Sequence, residues 1–182
     1  MEIPSLPGKR VCLRALEESD VDAIFRLFSD PEAMRYWSFP AYTERAQAEE
    51  HLARHTERIN DGNVIAWGIA KDQELIGTVA LHKLDFEQGR CELGYMLGRS
   101  HWGQGLASEA ISLALDYAFG RLHLRRLEAD IDPRNTASQK LLEKLGFQQE
   151  GYLRERWNVE GEISDSALFG LLRREWEARD EK

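Results

Sequence analysis

The stretch SHWGQGLASEAISLALDYAFG, Ser100–Gly120, constrains the fold of this chain most: two glycines one residue apart open a long, nearly uncharged segment with helical spacing. A helix that apolar has to be buried. Its first N–H groups lack partners within the helix, and the helix dipole favours negative charge at that end. Gly103 and Gly105 put no side chain in the way. The turn therefore either makes a tight corner or lets a phosphate-like anion lie against the backbone.

Two familiar phosphate loops are excluded by pattern and context. No GxxxxGK[ST] occurs, so the chain has no P-loop. The dinucleotide fingerprint fails at its third glycine, where Ser108 stands, although Glu128 falls at a tolerable distance in the next strand. A doubly wound fold also needs repeated βα units on both sides of the turn. Upstream, VIAWGIA (64–70), ELIGTVALHKL (74–84) and RCELGYML (90–97) read instead as an antiparallel meander, separated by Asp72-Gln73 and Glu87-Gln88-Gly89.

The remaining elements follow from periodicity and punctuation. KRVCLRAL (9–16) reads as a strand. Ser19 is expected to cap a helix carrying Val21, Ile24, Phe25 and Phe28, with Asp30-Pro31 ending it. A second helix runs from about Thr43 to the turn Asn60-Asp61-Gly62-Asn63. After the helix Leu106–Phe119 come a strand at 125–131 and a helix from about Asn135 that stops at Gly146. FQQEGYLRERWNV and EISDSALFGLL close the chain as a hairpin. The expectation is an α+β architecture: a mixed, mostly antiparallel, twisted sheet of about seven strands with about four helices.

A length of 182 residues suits a single domain over 1–182, with no repeat or linker-like segment. The net charge of −8 argues against nucleic acid as a partner and leaves any polyanion to be held by backbone amides and a few local cations. A cationic acceptor would be favoured by the same field. No apolar run approaches the roughly 18–20 residues that span a bilayer, and MEIPSLPGKR lacks a secretory apolar core. Cys12 and Cys91 stand alone and read as reduced thiols, so a cytoplasmic location is expected. His51, His55, His82 and His123 lack metal-ligand spacing with an acidic partner, and no metal is expected.

Several linked motifs carry a family resemblance from about Lys9 to Leu172. W-G-Q-G-L-A-S-E-A resembles the acyl-CoA pyrophosphate loop of the GNAT superfamily of N-acetyltransferases, whose pattern is Q/R-x-x-G-x-G/A. Trp102 stands where Gln or Arg is usual, Gly105 is the central glycine and Ala107 the terminal small residue. GYMLGRSHW resembles the family's bulged fourth strand, IDPRNTASQKLLEKLGF its fifth strand and following helix, and EGYLRERWNVEGEISDSALFGLL its closing hairpin. Trp102 together with the following SEA resembles the ribosomal-protein N-terminal acetyltransferases of the RimJ/RimL type.

The resemblance implies a transfer of acetyl from acetyl-CoA to a primary amine by direct attack in a ternary complex, most plausibly onto a protein or peptide α-amine. A small-molecule amine such as an antibiotic or polyamine is the alternative acceptor, and a non-catalytic acyl-CoA sensor is a further one. The central strands would splay so that pantetheine inserts between them and pairs with the backbone of Tyr95 and Leu97. Trp102, Gly103, Gln104, Gly105, Leu106 and Ala107 would hold the pyrophosphate. Asn135 would bond the pantetheine arm and Ser138 would lie near the sulfur, both also being ordinary helix-capping types. Many members place a proton-donating tyrosine four residues before the GF glycine; Leu142 stands there, which leaves Ser138 as donor to the thiolate. Gly94 within a strand pattern suggests a bulge or close backbone approach.

Glu92 is the first candidate for general base, with Glu155, Asp165 and water as rivals. Arg99, His101, Arg134 and Lys140 are the cations placed for the CoA 3′-phosphate, each also an ordinary surface residue. Tyr36 and Trp37, in the aromatic segment between the first two helices, are the candidates for the acceptor wall, with core packing the alternative. A monomer or homodimer is expected.

Overall fold

A computed structural model of the chain describes residues 3–179. Every described strand joins one eight-stranded sheet in the order β1-β2-β3-β4-β5-β6-β8-β7. The strands are β1 (Leu6–Pro7), β2 (Cys12–Arg14), β3 (Val64–Lys71), β4 (Glu74–Asp85), β5 (Arg90–Leu97), β6 (Arg126–Ile131), β7 (Gln148–Val159) and β8 (Glu162–Leu172). The strand beyond the expected seven is β1, two residues long and too short for any period to register. Four longer helices, α1 (Val21–Phe28), α3 (Arg45–Asn60), α4 (Leu106–Asp116) and α5 (Thr136–Lys144), match the expected number. Two single-turn helices, α2 (Pro31–Met34) and α6 (Arg173–Glu177), add to them.

The two faces of the sheet bury different cores. Leu81, Leu93 and Leu127 pack with Ile111 and Leu115 of α4 and Leu142 of α5 on one face. Leu75 and Met96 meet Ile24 and Phe28 of α1, Tyr42 and Ala48 of α3 on the other. Each such large side chain, taken out of water, contributes roughly 1.5–3 kcal/mol before chain entropy is counted. Alanines 110, 114 and 118 face the sheet from α4 and its continuation, fully buried, which brings the helix close to the strands.

Local chemistry corrects two expected helix boundaries. Ser19 does not cap α1; Glu17 and Asp20 form a reciprocal capping box around a single 3-10 turn, and Arg14 holds the buried Asp20 with both guanidinium nitrogens. Asp30-Pro31 ends α1 as expected but also begins α2, with the Asp30 carboxylate accepting from the N–H groups of Glu32 and Ala33.

β5 and β6 are the one parallel pair, and they part early. Their pairing covers only Arg90, Cys91 and Glu92 against Arg126, Leu127 and Glu128. Beyond that point β5 stays with β4 as far as Leu97 opposite Gly77, while β6 follows β8 as far as Ile131 opposite Ala167. The result is the splay of central strands that the sequence led us to expect. No bulge occurs at Gly94, whose register with β4 is regular. The irregularity lies in β4 instead, between His82 and Asp85, where Lys83 takes a positive φ of 51°.

Candidate active site

The glycine turn enters α4 through left-handed backbone. Gly103 has φ +70° and Gly105 φ +76°, so both positions demand glycine for conformation as well as for access. Gly105 is the N-cap of α4 and offers no side-chain cap, which leaves the first N–H groups of the helix without a hydrogen-bond acceptor from the cap. Nothing lies within 4 Å of a Cβ placed on Gly103. An open, uncapped, glycine-lined helix mouth is what a pyrophosphate requires, and these residues fit one.

Arg10 is a residue that motif reading missed. Its guanidinium donates to the Gln104 carbonyl at 2.8 Å and to Glu109 Oε2 at 2.8 Å, and its Nη2 lies 3.4 Å from where a Cβ of Gly105 would sit. Glu109 also accepts the Arg10 backbone N–H at 2.7 Å. A cation is thus fixed beside the turn from a segment ninety-odd residues away. No sequence motif links them; only the β2–α4 packing does.

Other expected loop residues serve the turn itself. Trp102 is half exposed, and its indole N–H donates to the Leu97 carbonyl at 2.7 Å, pinning the turn to the end of β5. Gln104 donates to the Ser100 carbonyl. Leu106 is buried in the core, and Ala107 packs against it, so both present only backbone at the turn. Arg99 and His101 turn toward a cleft of about 520 Å³ on the α1 side, where Arg99 pairs with Asp30 at 3.1 Å. Arg134 is likewise engaged, by Asp132 and Glu162.

Below the turn, the α4–α5 side of the splay holds a hydroxyl pair. Tyr95 Oη and Ser138 Oγ are 2.5 Å apart, joining β5 to the first turn of α5. Burial pushes the Tyr95 phenol up to about 12 despite that hydrogen bond, so it stays protonated at neutral pH. Leu142, where the resemblance implied a tyrosine in many members, is fully buried core. A tyrosine hydroxyl nevertheless reaches this corner, from β5. Asn135 caps α5, its Oδ1 accepting the Ser138 N–H at 3.1 Å, which leaves its amide nitrogen as the free donor.

Glu92 lies on the opposite face of β5, since side chains alternate along a strand. Its carboxylate accepts Lys83 Nζ at 2.6 Å rather than pairing with Arg90, whose guanidinium lies 3.7 Å from Glu128. Asp130 stands on the same face of β6, two residues beyond Glu128, the parallel partner of Glu92. Burial, reinforced by the nearby Glu92, raises the Asp130 carboxyl above its usual range. The rival Asp165 accepts the Tyr152 hydroxyl at 2.6 Å and the Glu155 N–H at 2.7 Å, which holds it ionised and low. Glu155 itself sits at a bulge with positive φ.

The two aromatic candidates separate. Trp37 packs edge-on to Phe28 and Phe39, both 5.4 Å away, and belongs to the α1–α3 core. Tyr36 instead lies under the guanidinium of Arg134, 5.7 Å from its ring, which links the α2–α3 segment to the loop that precedes Asn135. Among the described residues no helix is long and apolar enough to cross a membrane, and no group of His, Cys, Asp and Glu could hold a metal ion.

The chain as a whole is similar to known proteins. The family profile described as an acetyltransferase (GNAT) domain matches residues 10–148. The chain is 39% identical over 174 residues, 94% of its length and 98% of the other's, to the uncharacterized N-acetyltransferase p20 of Bacillus licheniformis. It is 28% identical to the "Putative ribosomal N-acetyltransferase YdaF" of Bacillus subtilis, over 93% of this chain and 95% of that one. Among solved structures it is similar to the spermidine N-acetyltransferase of Vibrio cholerae in complex with CoA and spermine, with a TM-score of 0.82, 28% identity and coverage of 92% of this chain and 98% of that one. With the splayed strands and the glycine-entered helix, these matches identify the chain as a member of the GNAT family, an N-acetyltransferase that uses acetyl-CoA.

Proposed function

We propose that the chain, acting as one domain in the cytoplasm, acetylates a primary α-amine at a protein or peptide N-terminus, in the manner of the RimJ/RimL type. The observation that carries this reading is the splay, with a hydroxyl pair on one face of β5 and a carboxylate on the other. That arrangement supports a thioester threaded between the strands and an amine arriving from the Glu92 side. A free α-amine has a pKa near 8, against about 10.4 for lysine, so it asks less of a base.

In this reading the backbone of the glycine turn and Arg10 hold the pyrophosphate, and the Asn135 amide steadies the pantetheine arm. A β5 N–H at the splay receives the oxyanion. Glu92 supplies the negative charge that draws the proton from the attacking amine. The thiolate takes its proton from Ser138, with Tyr95 behind it, so no covalent enzyme intermediate is needed. Tyr36 and the Arg134 loop bound the acceptor side, and Trp37 supports them from the core.

A polyamine is the second reading. Asp130 beside Glu92, together with Glu128 paired across from it, gives that face a carboxylate floor suited to a polycation. Spermidine N-acetyltransferases are among the similar proteins. The deciding experiment offers acetyl-CoA with spermidine and with a serine-initiated octapeptide and compares kcat/KM. Peptide ahead supports the α-amine; spermidine ahead replaces it with the polyamine.

A further inference from the structure

Three imidazoles form a column through the acceptor-side core. His51 and His55 of α3 stack at 4.4 Å and 18°. His55 meets His82 of β4 edge-on at 6.5 Å and 83°. At the far end His51 Nδ1 pairs with the Tyr42 hydroxyl at 2.8 Å. Two buried nitrogens, His51 Nε2 and His55 Nδ1, have no partner. Phenyl rings would pack here without that cost of roughly 1–3 kcal/mol for each unsatisfied group, so packing alone does not account for histidine.

The near end of the column reaches the reaction corner. His82 is the cross-strand partner of Glu92, so both side chains leave the sheet on the same face. A Cβ on Gly94 would lie only 3.0 Å from His82 Nε2 and 3.1 Å from its Cδ2. The imidazole therefore lies across the backbone of β5 two residues beyond its last pairing with β6, at the opening of the splay. The bulge that follows His82 sets this up. Lys83 in left-handed conformation breaks the alternation, so that His82 and the Lys83 ammonium both reach the Glu92 side.

We infer that His82 is the proton acceptor for the attacking amine, with Glu92 beside it carrying the compensating charge. This rests on the amine-acetylation reading above. The amine lone pair forms the N–C bond at the thioester carbonyl, and its proton passes to the lone pair of His82 Nε2. Collapse of the tetrahedral oxyanion breaks the C–S bond, and the thiolate takes the proton of the Ser138–Tyr95 hydroxyl pair. The imidazolium then releases its proton to water, and the hydroxyl pair regains one. The groups facing His82 are His55 and Arg58 from α3, Lys83 from its own strand and Glu92 from β5. Burial and the two cations lower the His82 ring to about 4, so it is neutral at pH 7 but a weaker base than an ordinary imidazole, and its part in the reaction rests on its position beside Gly94. Glu92 offsets the cations once the ring is charged. Glu92 alone is the poorer acceptor, because Lys83 already occupies it.

The test measures acetyl transfer to spermidine or the serine-initiated octapeptide, whichever the unaltered chain acetylates, with acetyl-CoA binding followed by calorimetry. His82→Gln is expected to lower kcat at least tenfold with acetyl-CoA affinity unchanged. His82→Ala, which opens a ring-sized space, is expected to regain rate with added imidazole, more strongly above pH 7 where imidazole is neutral. A kcat within twofold of the unaltered chain in both variants overturns the proposal. So does a loss that imidazole leaves untouched, whether acetyl-CoA binding survives or not. Transfer to neither acceptor by the unaltered chain would overturn the amine reading itself, and the role of His82 with it.

Discussion

The two sides of β5 are built on different principles. The side that carries the glycine turn presents backbone: an uncapped helix mouth, two left-handed glycines and strand edges left unpaired by the splay. The Glu92 side, the proposed acceptor side, presents side chains gathered from far apart: Glu92 from β5, Lys83 and His82 from β4, Asp130 from β6, His55 from α3. A backbone site is written in one contiguous stretch of sequence. A side-chain site is assembled only by strand register.

The contrast is broken most directly at Gly105. Gly105→Val places a β-branched residue at φ +76°, close to Arg10 and in the path of the anion. Acetyl-CoA affinity should fall by about a hundredfold, since left-handed backbone alone costs roughly 1–2 kcal/mol and the amide contacts are lost besides. Calorimetry with circular dichroism to confirm folding checks this, and unaltered affinity in a folded variant would refute the backbone site. Next in size is the hydroxyl pair. Ser138→Ala combined with Tyr95→Phe should lower kcat by roughly tenfold to a hundredfold, within the usual range for a lost proton donor. An unchanged rate would give the thiolate its proton from solvent.

On the acceptor side, Glu92→Gln should reduce kcat about tenfold at pH 7, the loss shrinking at higher pH as the amine deprotonates unaided. A pH-independent deficit would assign Glu92 a structural role through Lys83. The smallest catalytic effect is expected at Arg10→Ala. Half-exposed Arg10 contributes charge-assisted contacts to the turn, and its loss should raise KM for acetyl-CoA by about fivefold, one kcal/mol or so. A KM unchanged within twofold would make it a tether only.

Stability sharpens the comparison by another route. Burial lowers His51 to about 3 and His55 and His82 to about 4, against 6.5 unfolded. The unfolded chain thus binds more protons between these values, so stability is intact above about pH 6.5 and is lost as pH falls toward 4. At pH 5 each ring costs up to about 2 kcal/mol. Thermal unfolding followed at pH 7 and pH 5 should show a drop of many degrees, and His51→Phe, which leaves two of the three rings in place, should shrink it by about a third. An equal drop in that variant would move the acid sensitivity elsewhere.

The resemblance of the glycine turn, the strand ending in Leu97 and the helix opening at Asn135 was legible because each is a local pattern. Glycine, helix period and capping residues act over a few positions. Even there the reading was partial. Asn135 does cap its helix, and Trp102 fastens the turn through its indole, a tie that spacing does not show. Gly94 in a strand pattern suggests a bulge or a close backbone approach; its register is regular, and the group close to it is the side chain of His82 on the neighbouring strand. The histidines carried no motif at all, and Tyr95 was read for its backbone while its hydroxyl reaches Ser138.

What the sequence determined by itself was the family, the order of strands and helices along the chain and the place of the glycine turn, since hydrophobic period and glycine placement are properties of neighbouring residues. Only the tertiary structure decided that Arg10 braces the turn, that Lys83 engages Glu92, and that three histidines from α3 and β4 form a column ending with His82 beside Gly94. Those contacts join residues up to ninety-four positions apart. Their distances are fixed by strand register and helix packing, which no local pattern specifies.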